Sequence, residues 1–186
     1  GCYTGALKTM ARKRIARKPS RHVAKTTLLV VGEGPDDQAF IKHLNRLFRE
    51  ESAPIRAKIQ KESGGSPGNI ITNTTRKYKN DGYDKRYIVL DSDIEVPANS
   101  RRLAEAHGYT LILWSPMCLE GALLDVLGEP VSSRESSADL KHRLHPRLKA
   151  QHTEPEAYED LFTKTVIDSA SNDSMIAVKN ALLDRK

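Results

Sequence analysis

Cysteine is almost absent from this 186-residue chain: Cys2 and Cys118 are the only two. That excludes a disulfide framework and every zinc-ribbon spacing. Aromatic residues are also few, with one Trp among them. No apolar run approaches the roughly 18–20 residues that span a bilayer, so no membrane partner is expected. The N-terminus has no short apolar core of the secretory type, and a cytoplasmic location is expected. It also lacks an initiator Met, while Met10 follows, so residues 1–9 are read as possible additions to the native chain.

Acidic residues are missing from residues 1–25, which carry Lys8, Arg12, Lys13, Arg14, Arg17, Lys18, Arg21 and Lys25. These eight positive charges exceed the formal net charge of +6, leaving −2 for residues 26–186. The basicity therefore belongs to an N-terminal arm. Such an arm suits nucleic-acid phosphates, with Arg12, Lys13 and Arg14 as candidate contacts. A solvated tail has the same composition. The chain divides into this arm (1–25), an α/β domain (26–128) and a helical C-terminal portion packed on that domain (129–186).

From residue 26 onward, β-rich runs alternate with helical patterns. "TTLLVV" (26–31) is nearly continuous in apolar residues, as in a strand covered on both faces. A helix is expected over 36–51, with Phe40, Ile41, Leu44, Leu47 and Phe48 at helical spacing. Further strands are expected at 55–60, 86–91 and 109–115, and further helices at 70–80, 97–108 and 117–128. Three more helical segments follow, at 136–150, 154–164 and 173–184. This order predicts an α/β fold: a mainly parallel, Rossmann-like sheet of about four strands flanked by helices.

In such a sheet the functional crevice lies outside the carboxyl ends of the strands. Glu33 falls just after the first strand, Asp91 and Asp93 at the end of the third, and Glu120 just after the fourth. Asp37 sits one helical turn beyond Glu33. Acids brought together repel one another unless a cation lies between them. Hard cations such as Mg²⁺ or Mn²⁺ accept oxygen ligands and offset that cost. Asp36 and Asp37 equally suit the first turn of a helix, where acids complement the dipole. Asp36 is read as a cap. Metal binding by Glu33, Asp91 and Asp93 requires their carboxylates to converge within reach of one ion.

"VVGEGPDD" after one strand and "VLDSD" ending a later one resemble the Toprim domain, shared by topoisomerases, primases and several nuclease families. "ESGGSPGNIITNTTRKYKNDGYDKRYIVLDSD" and "SPMCLEGALLDVLG" resemble the RloB-like and overcoming-lysogenization-defect-like branch, over about residues 26–128. The text after Glu120 departs from the aromatic-rich RloB-like pattern, and Asp37 stands where some relatives carry Glu.

The resemblance implies a Toprim-like fold and a divalent-metal-dependent nuclease, acting in anti-phage defence or DNA repair. Glu33, Asp91 and Asp93 would hold Mg²⁺ or Mn²⁺, with Asp37 and Glu120 completing a second site. Lys149, Lys141 and Arg147 are candidates to offset charge on the scissile phosphate, and of these Lys149 is the expected catalytic residue. Arg76, Lys77 and Lys79, interleaved with Tyr78 and Tyr83, suit a nucleic-acid strand or an exposed helix.

The implied partners are DNA or RNA, a second copy of the chain as a homodimer, and a separate ATPase subunit, since no Walker A sequence occurs. Two alternatives stand beside this reading. One is a non-catalytic nucleic-acid-binding or ATPase-partner subunit. The other is a small RNA-processing Toprim ribonuclease, although "DSDIEVPANS" lacks the Gly usual there. His107, His142, His145 and His152 form no recognisable metal spacing and are assigned to the surface. Cys118 reads as a buried small residue.

Overall fold

The structure is a computed structural model that describes residues 1–2, 26–52 and 55–185. The basic arm assignment, with Arg12, Lys13 and Arg14, lies outside the described residues. Four strands, β1 (Thr27–Gly32), β2 (Arg56–Lys61), β3 (Lys85–Asp91) and β4 (Tyr109–Trp114), form one all-parallel sheet in the order β2-β1-β3-β4. The connecting helices are α1 (Pro35–Leu47), α2 (Arg49–Ser52), α3 (Pro67–Lys77), α4 (Ala98–Ala106) and α5 (Leu119–Val126). The C-terminal portion adds α6 (Ser137–Leu144), α7 (Lys164–Ser169) and α8 (Asp173–Leu182), with 3-10 turns at His145–Arg147 and Pro155–Tyr158. The fold is therefore α/β, with a parallel four-stranded sheet and a helical C-terminal part.

Period-2 alternation decides which face each strand residue covers. Val30 and Val89 join a core with Phe40 and Leu44 of α1, Leu123 of α5, and Phe162, Met175 and Val178 of the C-terminal part. Leu29, Val31, Ile88 and Leu90 face the other way, onto Ile70 and Ile71 of α3 and Ala104 of α4. The C-terminal helices thus share the core of the first face rather than building their own. Among the described residues, no helix is long and apolar enough to cross a membrane.

Three expected helices are shorter than their patterns suggest, each for a local reason. The 36–51 helix breaks at Phe48, which leaves helical geometry as its ring is buried beneath the amines of Lys164 and Lys179. The 136–150 helix stops at Leu144 because Pro146 has no N–H to continue the ladder. Over 154–164 only a 3-10 turn forms. There the chain winds to set both Tyr158 and Phe162 edge-on against Phe40, at 5.3 and 5.8 Å between ring centroids.

Candidate active site

The strand order places a topological switch point between β1 and β3. The chain leaves β1 for β2 on one side and returns past it to β3 on the other. Ligand crevices in open parallel sheets form at such points, beyond the strand carboxyl ends. Here a cleft of about 260 Å³ opens, lined by Glu33, Gly34, Pro35, Asp36, Asp37, Ser63, Asp91 and Lys141.

Its geometry grows from two strand ends in register. Gly32 of β1 lies opposite Val89 of β3, so Glu33 emerges beside Asp91. The Asp91 backbone N–H donates to Glu33 Oε2 at 2.7 Å, which pins the Glu33 carboxylate across the switch point. Asp91 in turn accepts from the backbone N–H of Leu119, the first residue of α5, at 3.3 Å. Asp37 is buried in the first turn of α1 and accepts from Trp114 Nε1 at 2.8 Å. Glu120 is only 3 % exposed and lies 3.0 Å from His145 Nε2.

Gly32 shapes this corner by its size rather than by its backbone angle. A Cβ on Gly32 would lie 2.7 Å from Asp37 Cβ, so the residue before Glu33 has to be small for α1 to begin where it does. Gly32→Ala is expected to lose about 2 kcal/mol of stability, as overpacked sites do, measured by urea denaturation. A variant as stable as the parent would show that the start of α1 yields freely.

The acids strain one another electrostatically. Burial, followed by the charges of Glu33, Glu120 and Asp93, pushes the Asp91 carboxyl up to about 8. Asp37 is held well above the usual carboxylate range by burial and by Asp91, against the stabilising Trp114 hydrogen bond. Glu33 is raised chiefly by burial. Glu120 departs in the other direction. Burial works to raise it, but the His145 hydrogen bond and a backbone N–H outweigh that and hold it below its usual value. Lys141 is raised, although burial disfavours its ammonium, because Glu120, Asp91 and Asp36 together overcome that cost. Burial pushes the Cys118 thiol up to about 12, which leaves no thiolate for nucleophilic chemistry.

The expected residues do not all meet. Glu33, Asp37 and Asp91 line the cleft and Glu120 couples to Asp91, whereas Asp93 is exposed and accepts from Ser137 Oγ at 3.1 Å. Glu33 and Asp91 therefore meet at the cleft without Asp93, and among the described residues these three do not form a group within 4.8 Å. Lys149 lies elsewhere, 2.7 Å from Glu159 and 3.5 Å from Asp160, and Arg147 pairs with Glu129. The lysine at the cleft is Lys141 of α6. Arg76, Lys77 and Lys79 are exposed beyond the cleft, with Lys77 3.9 Å from Glu62. The 63–68 loop is mainly a strand-to-helix turn in which Ser66 caps α3, although Ser63 reaches the cleft wall.

Two histidines assigned to the surface meet Asp36 at the cleft wall, with the His152 side chain still 42 % exposed. His145 and His152 stack at 4.1 Å and 8°. His152 Nδ1 lies 2.5 Å from Asp36 Oδ1, so Asp36 is more than a helix cap. Among the described residues, Asp36, His145 and His152 are the one group of three potential ligand side chains whose atoms all lie within 4.8 Å of one another. Their spacing in sequence carries no signal, because the segment joining the two histidines is irregular.

Fold and site together define an α/β protein with an acidic cleft at the switch point of a parallel sheet. No protein-family model, curated protein or solved structure matches the chain.

Proposed function

We propose that this chain is a Toprim-like, divalent-metal-dependent nuclease that hydrolyses phosphodiester bonds of DNA or RNA at the Glu33–Asp91 cleft. The observation that carries the reading is the concentration of acids at the β1/β3 switch point, with the Asp91 carboxyl pushed up to about 8 by burial and by the charges of Glu33, Glu120 and Asp93. Carboxylates perturbed by burial and by specific neighbouring charges in a cleft are candidates for functional sites. The order of the Glu-Gly turn, the D-x-D strand end and the Cys-x-Glu helix start supports the same assignment.

The donors fit a hard cation: every acid at the cleft offers oxygen, and one lysine is too little positive charge for them. In place of the expected set of Glu33, Asp91 and Asp93, the cleft acids Glu33, Asp37 and Asp91 would hold Mg²⁺ or Mn²⁺, with Asp93 and Glu120 alongside. Such an ion, when bound, activates water and stabilises the leaving oxygen. The chain's own contributions are distinct. Glu33 is oriented by the Asp91 N–H, Asp37 by Trp114, and Asp91 by the start of α5. Lys141 brings an ammonium to the rim, where it attracts a phosphate and offsets charge developing on it.

The test is cleavage of single- and double-stranded DNA and of RNA by the purified chain with Mg²⁺ or Mn²⁺. Asp91→Ala and Glu33→Ala are expected to lower the rate at least ~100-fold, and Lys141→Met by about tenfold or more. A chain inert on all three substrates with both metals would overturn the reading. So would Asp91→Ala cleaving at the parental rate.

A further inference from the structure

We propose that Asp36, His145 and His152 form a transition-metal site of the Zn²⁺ or Co²⁺ class, adjoining the hard-cation cleft and sharing Asp36 with its wall. Three separate segments supply the donors: the first turn of α1, the 3-10 turn after α6, and the loop before Pro155. His152 Nδ1 is 2.5 Å and His145 Nε2 3.9 Å from the Asp36 carboxylate, while His145 Nε2 is 3.0 Å from Glu120. Two nitrogens and a carboxylate oxygen, with a second carboxylate adjoining, are the donor set that zinc accepts. Ligand atoms around a tetrahedral ion at zinc distances lie on the order of 3.3 Å apart. The His145–Asp36 separation of 3.9 Å exceeds that value and the His152–Asp36 separation of 2.5 Å falls short of it. Taking up an ion therefore requires the stacked rings to turn and point their nitrogens at one centre.

The support is firm. Tyr158 Oη donates to the His152 carbonyl at 2.5 Å, and its buried ring packs edge-on against Phe40. Leu144, immediately before His145, is also buried. Imidazole nitrogen separates this site chemically from its neighbour, since Mg²⁺ prefers oxygen and Zn²⁺ and Co²⁺ accept nitrogen readily.

A pair of histidines that only hydrogen-bond their carboxylates would give the same resting arrangement, and the experiment is built on that alternative. In His152→Asn the amide nitrogen replaces Nδ1 as donor to Asp36. In His145→Gln it replaces Nε2 as donor to Glu120. Both variants keep the hydrogen bond and lose the ligand. Metal-free full-length protein is titrated with Zn²⁺ by calorimetry and with Co²⁺ by visible absorption, in millimolar Mg²⁺.

The parent is expected to bind one ion per chain and to develop a Co²⁺ spectrum. His145→Gln and His152→Asn should each weaken binding at least ~10-fold, with their circular dichroism unchanged. Asp91→Asn should bind as the parent does, so this site stands or falls separately from the hydrolytic cleft. No uptake by the parent, undiminished uptake by His145→Gln combined with His152→Asn, or an equal loss in Asp91→Asn would each overturn the proposal.

Discussion

Asp91→Asn is expected to melt higher than the parent at pH 8 in chelator, while losing the proposed hydrolytic activity. The folded protein keeps the Asp91 proton up to about pH 8, whereas the unfolded chain releases it near 3.8. Between those values the folded state binds more protons, so stability falls as pH rises. Below about pH 4 both states are protonated and the penalty vanishes. Asparagine stays neutral throughout and still accepts from Leu119 N–H through its amide oxygen.

A tenfold difference in proton affinity between the two states corresponds to about 1.4 kcal/mol. Because Glu33 and Glu120 share the repulsion, relief of about 2 kcal/mol is expected, or roughly 5 °C for a chain of this size. Thermal melts from pH 4 to 8 would show the two proteins converging at the acid end. Millimolar Mn²⁺ should raise the parent's melting temperature and leave Asp91→Asn nearly unmoved, since only a bound ion adds to stability. A variant that melts below the parent at pH 8, or that tracks it in parallel, would contradict the electrostatic account.

Gly121→Ala is expected to be the most damaging single methyl among the described residues. A Cβ there would lie 1.9 Å from the Pro116 carbonyl oxygen and 3.3 Å from Leu140 Cδ1. That carbonyl already accepts from the Cys118 N–H, so it has no freedom to turn aside. The loop from Ser115 to Cys118 must move instead, and it carries the start of α5 with it. Leu119 N–H then leaves Asp91, and Glu120 leaves His145.

Overpacking against backbone costs about 3 kcal/mol, or roughly 6–12 °C, and the proposed activity should fall even where the protein remains folded. Gly34→Ala is the matched control. Nothing lies within 4 Å of a Cβ at Gly34, and its extended backbone suits any residue. Equal stability of the two variants by urea denaturation would refute the steric argument.

Much of this architecture is legible in sequence because buried parallel strands leave plain marks. "TTLLVV" and "RYIVLD" sit at the centre of the sheet as β1 and β3, and their apolar runs announce it. Glu33 and Asp91 are readable for the same reason, as the first polar residues past those runs. Glu120 stands out as an acid inside an apolar helix, and it is buried.

What escapes is whatever depends on three-dimensional register. Lys141 and Lys149 look alike in sequence, but Lys141 lies on α6 and reaches the cleft, whereas Lys149 lies beyond the following 3-10 turn and pairs with Glu159. His145 and His152 lie in a stretch with no periodicity, held by Tyr158 and Pro146 rather than by a repeating pattern. Asp36 has the look of a helix-opening acid, and its partner is 116 residues away.

Asp36 and Asp37 are consecutive, yet they answer to different neighbours: Asp36 to the histidine pair and Asp37 to Trp114 and Asp91. One helical turn thus carries a donor for each of two proposed cations. Any ligand that draws this turn toward one set of donors changes the free energy of binding at the other. Thermodynamic linkage makes that effect equal in both directions. On the reading proposed for both sites, the affinity for one ion would depend on the concentration of the other, and neither constant would be complete without stating both.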